Sequence, residues 1–337
     1  MLIRLLRVHL RPYRNAIIAI VLFQFIQTLA TLYLPTLNAD IIDRGVVVGD
    51  TGYVMRIGGW MLAVTLLQIA AQVVAVYFGA KTAMAVGRDV RGAIFSRVQQ
   101  FSAREVGQFG APSLITRTTN DVQQVQMLVL LTFTLMVSAP IMCFGGVVLA
   151  LRQDVPLSGL ILVVVPILIL LVGLIITRMR PLFRSMQKRI DRINRVMREQ
   201  IAGIRVIRAF VRDDVEQDRY GEANDELTDV SLRVGKLMAL MFPVVLLVVN
   251  LSSVAVLWFG AHRIDSGAMQ VGALTAFLSY LMQILFSIMM ATFMFVMIPR
   301  AEVCAERIEE VLHTESSVTV APAPVTALSR YGFLELR

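Results

Sequence analysis

The sequence predicts an all-α membrane protein of six long transmembrane helices that extend into the cytoplasm. Three observations support this class. Hydrophobic residues make up 57% of the 337 residues, against about 45–50% in soluble domains, and the mean hydropathy is +0.71. The apolar residues form runs long enough to cross about 30 Å of hydrocarbon. Arginine-rich segments alternate with these runs and contribute most of the net charge of +8, a bias that marks cytoplasmic loops.

Residues 1–14 predict an amphipathic helix at a membrane surface. Arg4, Arg7, Arg11 and Arg14 share one helical face, and leucines share another. The alternative is a plain positive flank of the first span. Both interpretations place this end of the chain in the cytoplasm.

Residues 15–312 predict a six-helix membrane domain with short outer loops and long, basic, helical inner loops. Both termini are expected in the cytoplasm. The predicted spans cover residues 16–37, 55–78, 127–151, 157–177, 237–260 and 272–298. Residues 313–330, rich in Ser, Thr, Ala and Pro, predict a linker, and 331–337 predict the start of a strand in a further domain.

The fourth helix is predicted to continue far beyond its span. Apolar residues recur at helical spacing through the charged part of the sequence, and Pro181 can kink a helix without ending it. A helix from Leu157 to Phe210 would be roughly 80 Å long. Gly203 is expected to permit a turn, followed by a short segment over Val206–Asp213.

The first inner loop predicts a long helix, a short crosswise helix and another long helix. Gly110 and Pro112 are expected to end the second helix, with Pro112 in the first turn of the short one. Asn120 is expected to cap the next helix, with Gln123 completing a capping box.

No enzymatic constellation is found in the sequence, and we predict no catalytic, cofactor-binding or metal-binding residue in this chain. It has no GxxxxGKS/T, HExxH or GxSxG motif. The histidines are scattered, and Cys143 and Cys304 are expected to be inert core thiols.

The two inner loops resemble the transmembrane domain of ABC exporters. The first loop is similar to the family pattern G-E-L-x-S-R-L-x-N-D-V at Gly110, Leu114, Arg117, Asn120, Asp121 and Val122. The second is similar to E-x-x-x-G-I-x-V-I-x-A-F at Glu199, Gly203, Ile204, Val206, Ile207, Ala209 and Phe210. The first loop departs from the pattern where Ala111-Pro112-Ser113 replaces the commoner glycine–glutamate start.

The resemblance implies an ABC transporter type 1 transmembrane domain of a bacterial multidrug or lipid half-transporter. It implies an ATPase domain that binds ATP and Mg²⁺ beyond this chain, either as its continuation or as a separate subunit. It further implies a second half-transporter, as a homo- or heterodimer, and a plasma (inner) membrane location. The residues expected to couple to the ATPase domain are Pro112, Leu114, Arg117, Asn120, Asp121, Val206, Ile207, Arg208, Phe210 and Arg212.

A substrate cavity is expected among polar and flexible residues within the spans. The candidates are Gln24, Gln27, Gln68, Asn250, Gln283, Met282, Phe286, Met289 and Phe293. Packing against lipid or neighbouring helices explains the methionines equally well. The spans show no carboxylate clearly at mid-membrane, which favours an amphiphilic substrate such as a lipid or drug-like compound.

Three functions remain open at this stage. The first is ATP-driven export by alternating access. The second is import of lipid or metal-chelate compounds by the same fold. The third is a secondary transporter or membrane scaffold without ATP coupling. That third class does not require overlong inner helices, and secondary transporters usually carry intramembrane carboxylates or broken spans.

Overall fold

The computed structural model describes residues 1–318, apart from the side chains of residues 293, 295 and 296. Throughout this part of the chain the backbone is helical or turns between helices. The helices are α1 (Leu2–Leu10), α2 (Arg14–Asp40), α3 (Thr51–Val98), α4 (Ala103–Phe109), α5 (Ala111–Thr116), α6 (Val122–Leu131), α7 (Ser138–Gln153), α8 (Val155–Ala209), α9 (Asp213–Asp265) and α10 (Val271–His313). Most of the predicted linker and the predicted strand at 331–337 lie outside the described residues.

Within residues 1–318, six helical stretches are long and apolar enough to cross a membrane, as predicted. They contain 43 to 55 residues each, or about 65 to 80 Å of helix. A bilayer core accounts for about 30 Å, so each stretch extends well beyond it. The third stretch, Ala111–Gln153, joins α5, α6 and α7 through π-helical turns at Arg117–Asp121 and Thr132–Met136.

The prediction of one overlong fourth helix is confirmed by α8. Asp154 caps its first turn, since the carboxylate accepts a hydrogen bond of 2.8 Å from the Leu157 amide. Pro166 and Pro181 lie inside the helix without ending it. The predicted turn at Gly203 and the separate segment over Val206–Asp213 are wrong, because α8 runs unbroken to Ala209.

The first inner loop has the predicted pattern but different boundaries. The long helix α3 ends at Val98, before the expected break at Gly110, and the short helix is α4. Pro112 does lie in the first turn of a new helix, α5. The predicted cap at Asn120 is wrong, because the chain stays helical through the π turn into α6.

The chain folds as two units. The described part of the first unit comprises Met1–Ala30, Thr65–Ile141 and residues 289–318. Its core, here called the base cluster, contains buried apolar residues from α1, α3, α5, α6 and α10. Its members are Leu2, Leu5, Val86, Val90, Ile94, Leu114, Val122, Val125, Leu128, Met294, Ala301, Cys304, Ala305, Ile308 and Val311.

The second unit comprises Thr31–Val64 and Met142–Ile288. Here α8 and α9 pack side by side, with Ile175 and Met179 of α8 in one apolar cluster with Val234 of α9. Further along the pair, both Arg189 and Arg192 form ion pairs with Glu226. Hydrogen bonding and charge from these arginines, Arg192 foremost, lower the pKa of Glu226.

Another contact in the second unit, the Gly272 seam, joins the end of α2 and the turn after it to the start of α10. The Asp43 carboxylate accepts a hydrogen bond of 2.6 Å from the Gly272 amide. The hydroxyls of Thr36 and Tyr280 lie 2.6 Å apart. A Cβ at position 272 would collide with the Ala39 carbonyl oxygen, so only glycine allows this close approach.

Candidate functional site

The short helix α4 is fixed at its N-terminus by a capping box. The Ser102 hydroxyl accepts from the Arg104 amide at 3.2 Å, and the Glu105 carboxylate accepts from the Ser102 amide at 2.8 Å. Glu105 also accepts a hydrogen bond of 3.2 Å from the amide of Ser317. The buried carboxylate therefore ties α4 to the chain that leaves α10.

The electrostatics of this tie favour the ionised form of Glu105. Hydrogen bonds, first from the Ser102 hydroxyl and then from Ser317, hold the pKa of the carboxyl at about 2. Glu105 is thus a fixed anion at neutral pH, with donors from two distant parts of the sequence.

The last turns of α10 are held by three further side chains, which together with Glu105 form the α10 clamp. Arg117 donates 2.7 Å to the Arg307 carbonyl and 2.6 Å to Glu310. Asp121 forms an ion pair of 3.3 Å with Arg307. Arg97 donates 3.0 Å to the Leu312 carbonyl, one of the last carbonyls of α10 that lack a partner within the helix.

The residues predicted for coupling in the first loop divide into an exposed and a buried set. Pro112 and Asn120 are exposed. Leu114 lies in the base cluster, and Arg117 and Asp121 are buried within the α10 clamp. The buried three position the loop, while the neighbouring surface is formed by α4 and the exposed residues of α5.

The second loop is a tight turn at the joint end of α8 and α9. Phe210 is 73% exposed and Val211 is 83% exposed. Val211 has φ of +51°, a conformation that is rare and costly for a β-branched residue. Of the other residues predicted for coupling, Val206, Arg208 and Arg212 are exposed and Ile207 is half-buried. The turn therefore displays apolar side chains beside arginines at the far end of a helix pair.

The cavity candidates of the first unit differ in their surroundings. Gln24 is buried and donates 3.0 Å and 3.3 Å to the carbonyls of Phe133 and Thr134, in the π turn between α6 and α7. This bonding gives Gln24 a structural role at that turn. Gln27 and Gln68 are half-buried, as is Met289. The side chain of Phe293 lies outside the described part of the structure.

The cavity candidates of the second unit are less enclosed. Asn250 is exposed on α9 within the apolar stretch, and Phe286 on α10 is 51% exposed. Met282 and Gln283 are half-buried on α10, and the buried Gln283 Oε1 has no hydrogen-bond partner. An amide oxygen without a hydrogen-bond partner is costly in hydrocarbon. The Gln283 oxygen therefore needs a polar neighbour or a water molecule.

Comparison with known proteins identifies the family. The model of the ABC transporter transmembrane region matches residues 17–289. The chain belongs to this family. It is a multi-pass membrane protein with an ABC transmembrane domain, in accord with its six long apolar helices.

Several ABC transporters are similar to this chain. An "uncharacterized ABC transporter ATP-binding protein" of Mycobacterium tuberculosis is 52% identical over 94% of this chain and 55% of its own length. YfiB of Bacillus subtilis, described in the same words, is 36% identical over 91% of this chain and 53% of its own length. A "multidrug efflux ATP-binding/permease protein" of M. tuberculosis is 26% identical over 96% of this chain and 27% of its own length. The chain thus spans about half the length of the first two relatives.

Sequence reasoning about this ABC transmembrane domain missed α4 and its tie to Ser317. A local signal was present, because Ser102 and Glu105 have the S-x-x-E spacing of a capping box. The bond from Ser317 had no such signal, since the two partners are 212 residues apart in the chain.

Proposed function

We propose that this chain is the membrane-spanning part of an ATP-driven transporter that exports amphiphilic compounds by alternating access. Membership in the ABC family supports transport across a membrane. Export is favoured by the similarity to a relative named for multidrug efflux. The absence of a clear mid-membrane carboxylate from the predicted spans favours an apolar or amphiphilic substrate over a coupled-ion relay.

The observation that carries the proposal is the pair of surfaces at the ends of overlong helices. Helix α4 is tied through Glu105 to Ser317, in the chain that leaves α10. The turn at Phe210 and Val211 lies at the end of two helices of 55 and 53 residues. Apolar side chains flanked by arginines suit docking on a protein surface. We propose that both dock on nucleotide-binding domains and that α8 and α9 act as levers.

ATP and Mg²⁺ are proposed to bind a domain other than the one described here. The phosphate-binding loop of such domains joins a strand to a helix, whereas residues 1–318 are helices and turns. Within the proposal, that domain supplies hydrolysis, and this chain converts its closure into movement of the helices.

A second half-transporter is proposed to complete the substrate pathway. Asn250 and Phe286 are exposed on membrane-spanning helices, and Gln283 carries an unpartnered oxygen. A partner or a water-filled pathway would satisfy the exposed Asn250 amide and cover the Phe286 ring, and an internal water would satisfy the buried Gln283 oxygen. The arginine bias of the inner loops supports the further proposal that both ends of the membrane domain lie in the cytoplasm and that the membrane is a bacterial inner membrane.

The test uses the full-length protein in proteoliposomes, with ATP hydrolysis and transport of a fluorescent amphiphile measured together. Phe210→Ala removes the most exposed aromatic of the turn and should lower transport per ATP at least about tenfold, because truncation of a docking anchor typically costs 2 kcal/mol or more. Phe183→Ala is the matched control, since Phe183 is 40% exposed on α8, the helix that precedes the turn. It should leave the transport-to-hydrolysis ratio unchanged.

Two results would contradict the proposal. If Phe210→Ala and Phe183→Ala have the same transport-to-hydrolysis ratio, the turn does not act as a docking surface. ATP-dependent accumulation of the amphiphile on the cytoplasmic side of the membrane would show that the protein imports it and does not export it.

A further inference from the structure

Four exposed arginines, here called the α1 arginines, lie on the helical segment that runs from α1 through a 3-10 turn at Arg11–Tyr13 to the first residue of α2. Arg4, Arg7, Arg11 and Arg14 are all exposed, and their spacing of three and four residues favours the same side of this helical segment. The α1 arginines extend over roughly 15 Å, at 1.5 Å per residue. Within residues 1–318 none of the four takes part in an ion pair or a side-chain hydrogen bond.

The opposite face of α1 is occupied by the protein itself. Leu2 is 7% exposed and Leu5 is 2% exposed, and both belong to the base cluster with residues of α3 and α10. A free amphipathic helix would turn this apolar face into the lipid. Here the leucines are already buried in protein, so the orientation of the α1 arginines is fixed by packing.

The junction with the first span fixes the α1 arginines at the bilayer boundary. Arg14 begins α2, whose apolar span follows directly in the chain. Just before it, the Tyr13 hydroxyl donates 2.6 Å to Asp89 of α3, and Arg88 donates 3.1 Å to the same hydroxyl. The turn between α1 and α2 is therefore anchored, and the arginines lie where the chain enters the membrane.

Four like charges in this arrangement favour an anionic ligand. Neighbouring cations at i,i+3 and i,i+4 repel and destabilise a helix. A phosphodiester between two guanidinium groups removes this repulsion, and arginine binds phosphate oxygens in a bidentate geometry. The anions that are abundant at a membrane boundary are lipid headgroups.

We propose that Arg4 and Arg7 of α1, together with Arg11 and Arg14 at the junction with α2, form a binding surface for anionic phospholipid headgroups. The surface is independent of the proposed transport function, because it requires only that the chain spans a membrane. Since α1 packs into the base cluster that also contains residues of α5 and α10, bound lipid would also stabilise the part of the protein that carries the α10 clamp.

The test measures which lipids the full-length protein retains. The purified protein is equilibrated in detergent micelles containing equal amounts of phosphatidylglycerol and phosphatidylcholine, and bound lipid is counted by native mass spectrometry. Each arginine near an anionic surface contributes about fivefold to binding. We expect enrichment of phosphatidylglycerol that falls at least about tenfold when all four arginines are replaced by glutamine.

A matched control removes the same charge elsewhere. Lys188, Arg195, Arg198 and Arg205 are exposed on α8 beyond the predicted span, and their replacement by glutamine should leave the enrichment unchanged. Replacement of the four α1 arginines by lysine keeps the charge and should preserve most of the enrichment, which separates binding from misfolding.

Three results would overturn the proposal. The first is equal retention of both lipids by the unaltered protein. The second is an equal loss of enrichment in the α1 and α8 glutamine variants, which would point to net charge alone. The third is complete loss in the lysine variant, which would show that the charge of this face does not select the lipid.

Discussion

The α10 clamp should fail locally when Arg117 loses its guanidinium group. Arg117→Met keeps most of the apolar stem but removes the bond to the Arg307 carbonyl, and a hydrogen bond from a charged group contributes about 1.5–3 kcal/mol. The pair with Glu310 adds about 0.5 kcal/mol at most, because that carboxylate is 54% exposed. The contact with the Phe109 ring, 4.9 Å from its centroid, adds about 0.5–1 kcal/mol.

The sum is a local destabilisation of about 3 kcal/mol, or roughly 100-fold in the population of the open state. Cys304 provides the measurement, because it is 9% exposed and belongs to the base cluster beside the clamp. A maleimide reaches such a thiol only through local opening. In a full-length protein that keeps Cys304 as its one cysteine, Arg117→Met should raise the labelling rate roughly 100-fold.

Arg104→Met is the matched control for this experiment. Arg104 is an exposed arginine of α4, and its side chain has no partner among residues 1–318. We expect the control to change the labelling rate by less than about threefold, as for most exposed substitutions. If Arg117→Met labels at the rate of Arg104→Met, the buried guanidinium does not hold α10 and the clamp is refuted.

Two further predictions concern the Gly272 seam and the Glu105 tie. Gly272→Ala should destabilise the protein by about 1–3 kcal/mol, because its Cβ would collide with the Ala39 carbonyl. Its melting temperature should therefore fall below that of Gly173→Ala, where no atom lies within 4 Å of the new methyl group; equal melting would contradict the seam. The Glu105 carboxyl has a pKa of about 2 against an ordinary 4.5, so its stabilisation is complete above pH 4.5 and is lost as the pH falls towards 2. Hydrogen-exchange protection of the Ser317 amide should follow this profile, whereas pH-independent protection would show that Glu105 does not hold it.

The membrane architecture was predictable because it depends on local composition. The six apolar runs and the overlong helix that became α8 follow from hydropathy and from helical periodicity in the charged segments. The break in the first loop was predictable in kind but not in position. Gly110 and Pro112 are strong helix breakers and predict the break at that point, whereas α3 ends earlier, before the capping box at Ser102 and Glu105.

The roles of particular side chains were less predictable. The motif residues Leu114, Arg117 and Asp121 were expected at a docking surface, and all three are buried in the chain. Gln24 remains a cavity candidate, and its amide nitrogen donates to the carbonyls of a π turn. In each case the partner comes from a distant part of the sequence, so that neither spacing nor residue type reveals it.

Composition and periodicity sufficed to predict the six apolar helices of residues 1–318, each long enough to cross a membrane and to continue beyond it. The physical reason is that hydrocarbon offers no hydrogen bonds, so each crossing must be an apolar segment that satisfies its own backbone. Only the tertiary structure decided which face of each segment is buried. The leucines of α1 pack into protein and leave the arginines outside, and Glu105 meets Ser317 across 212 residues, because such contacts depend on how distant helices pack.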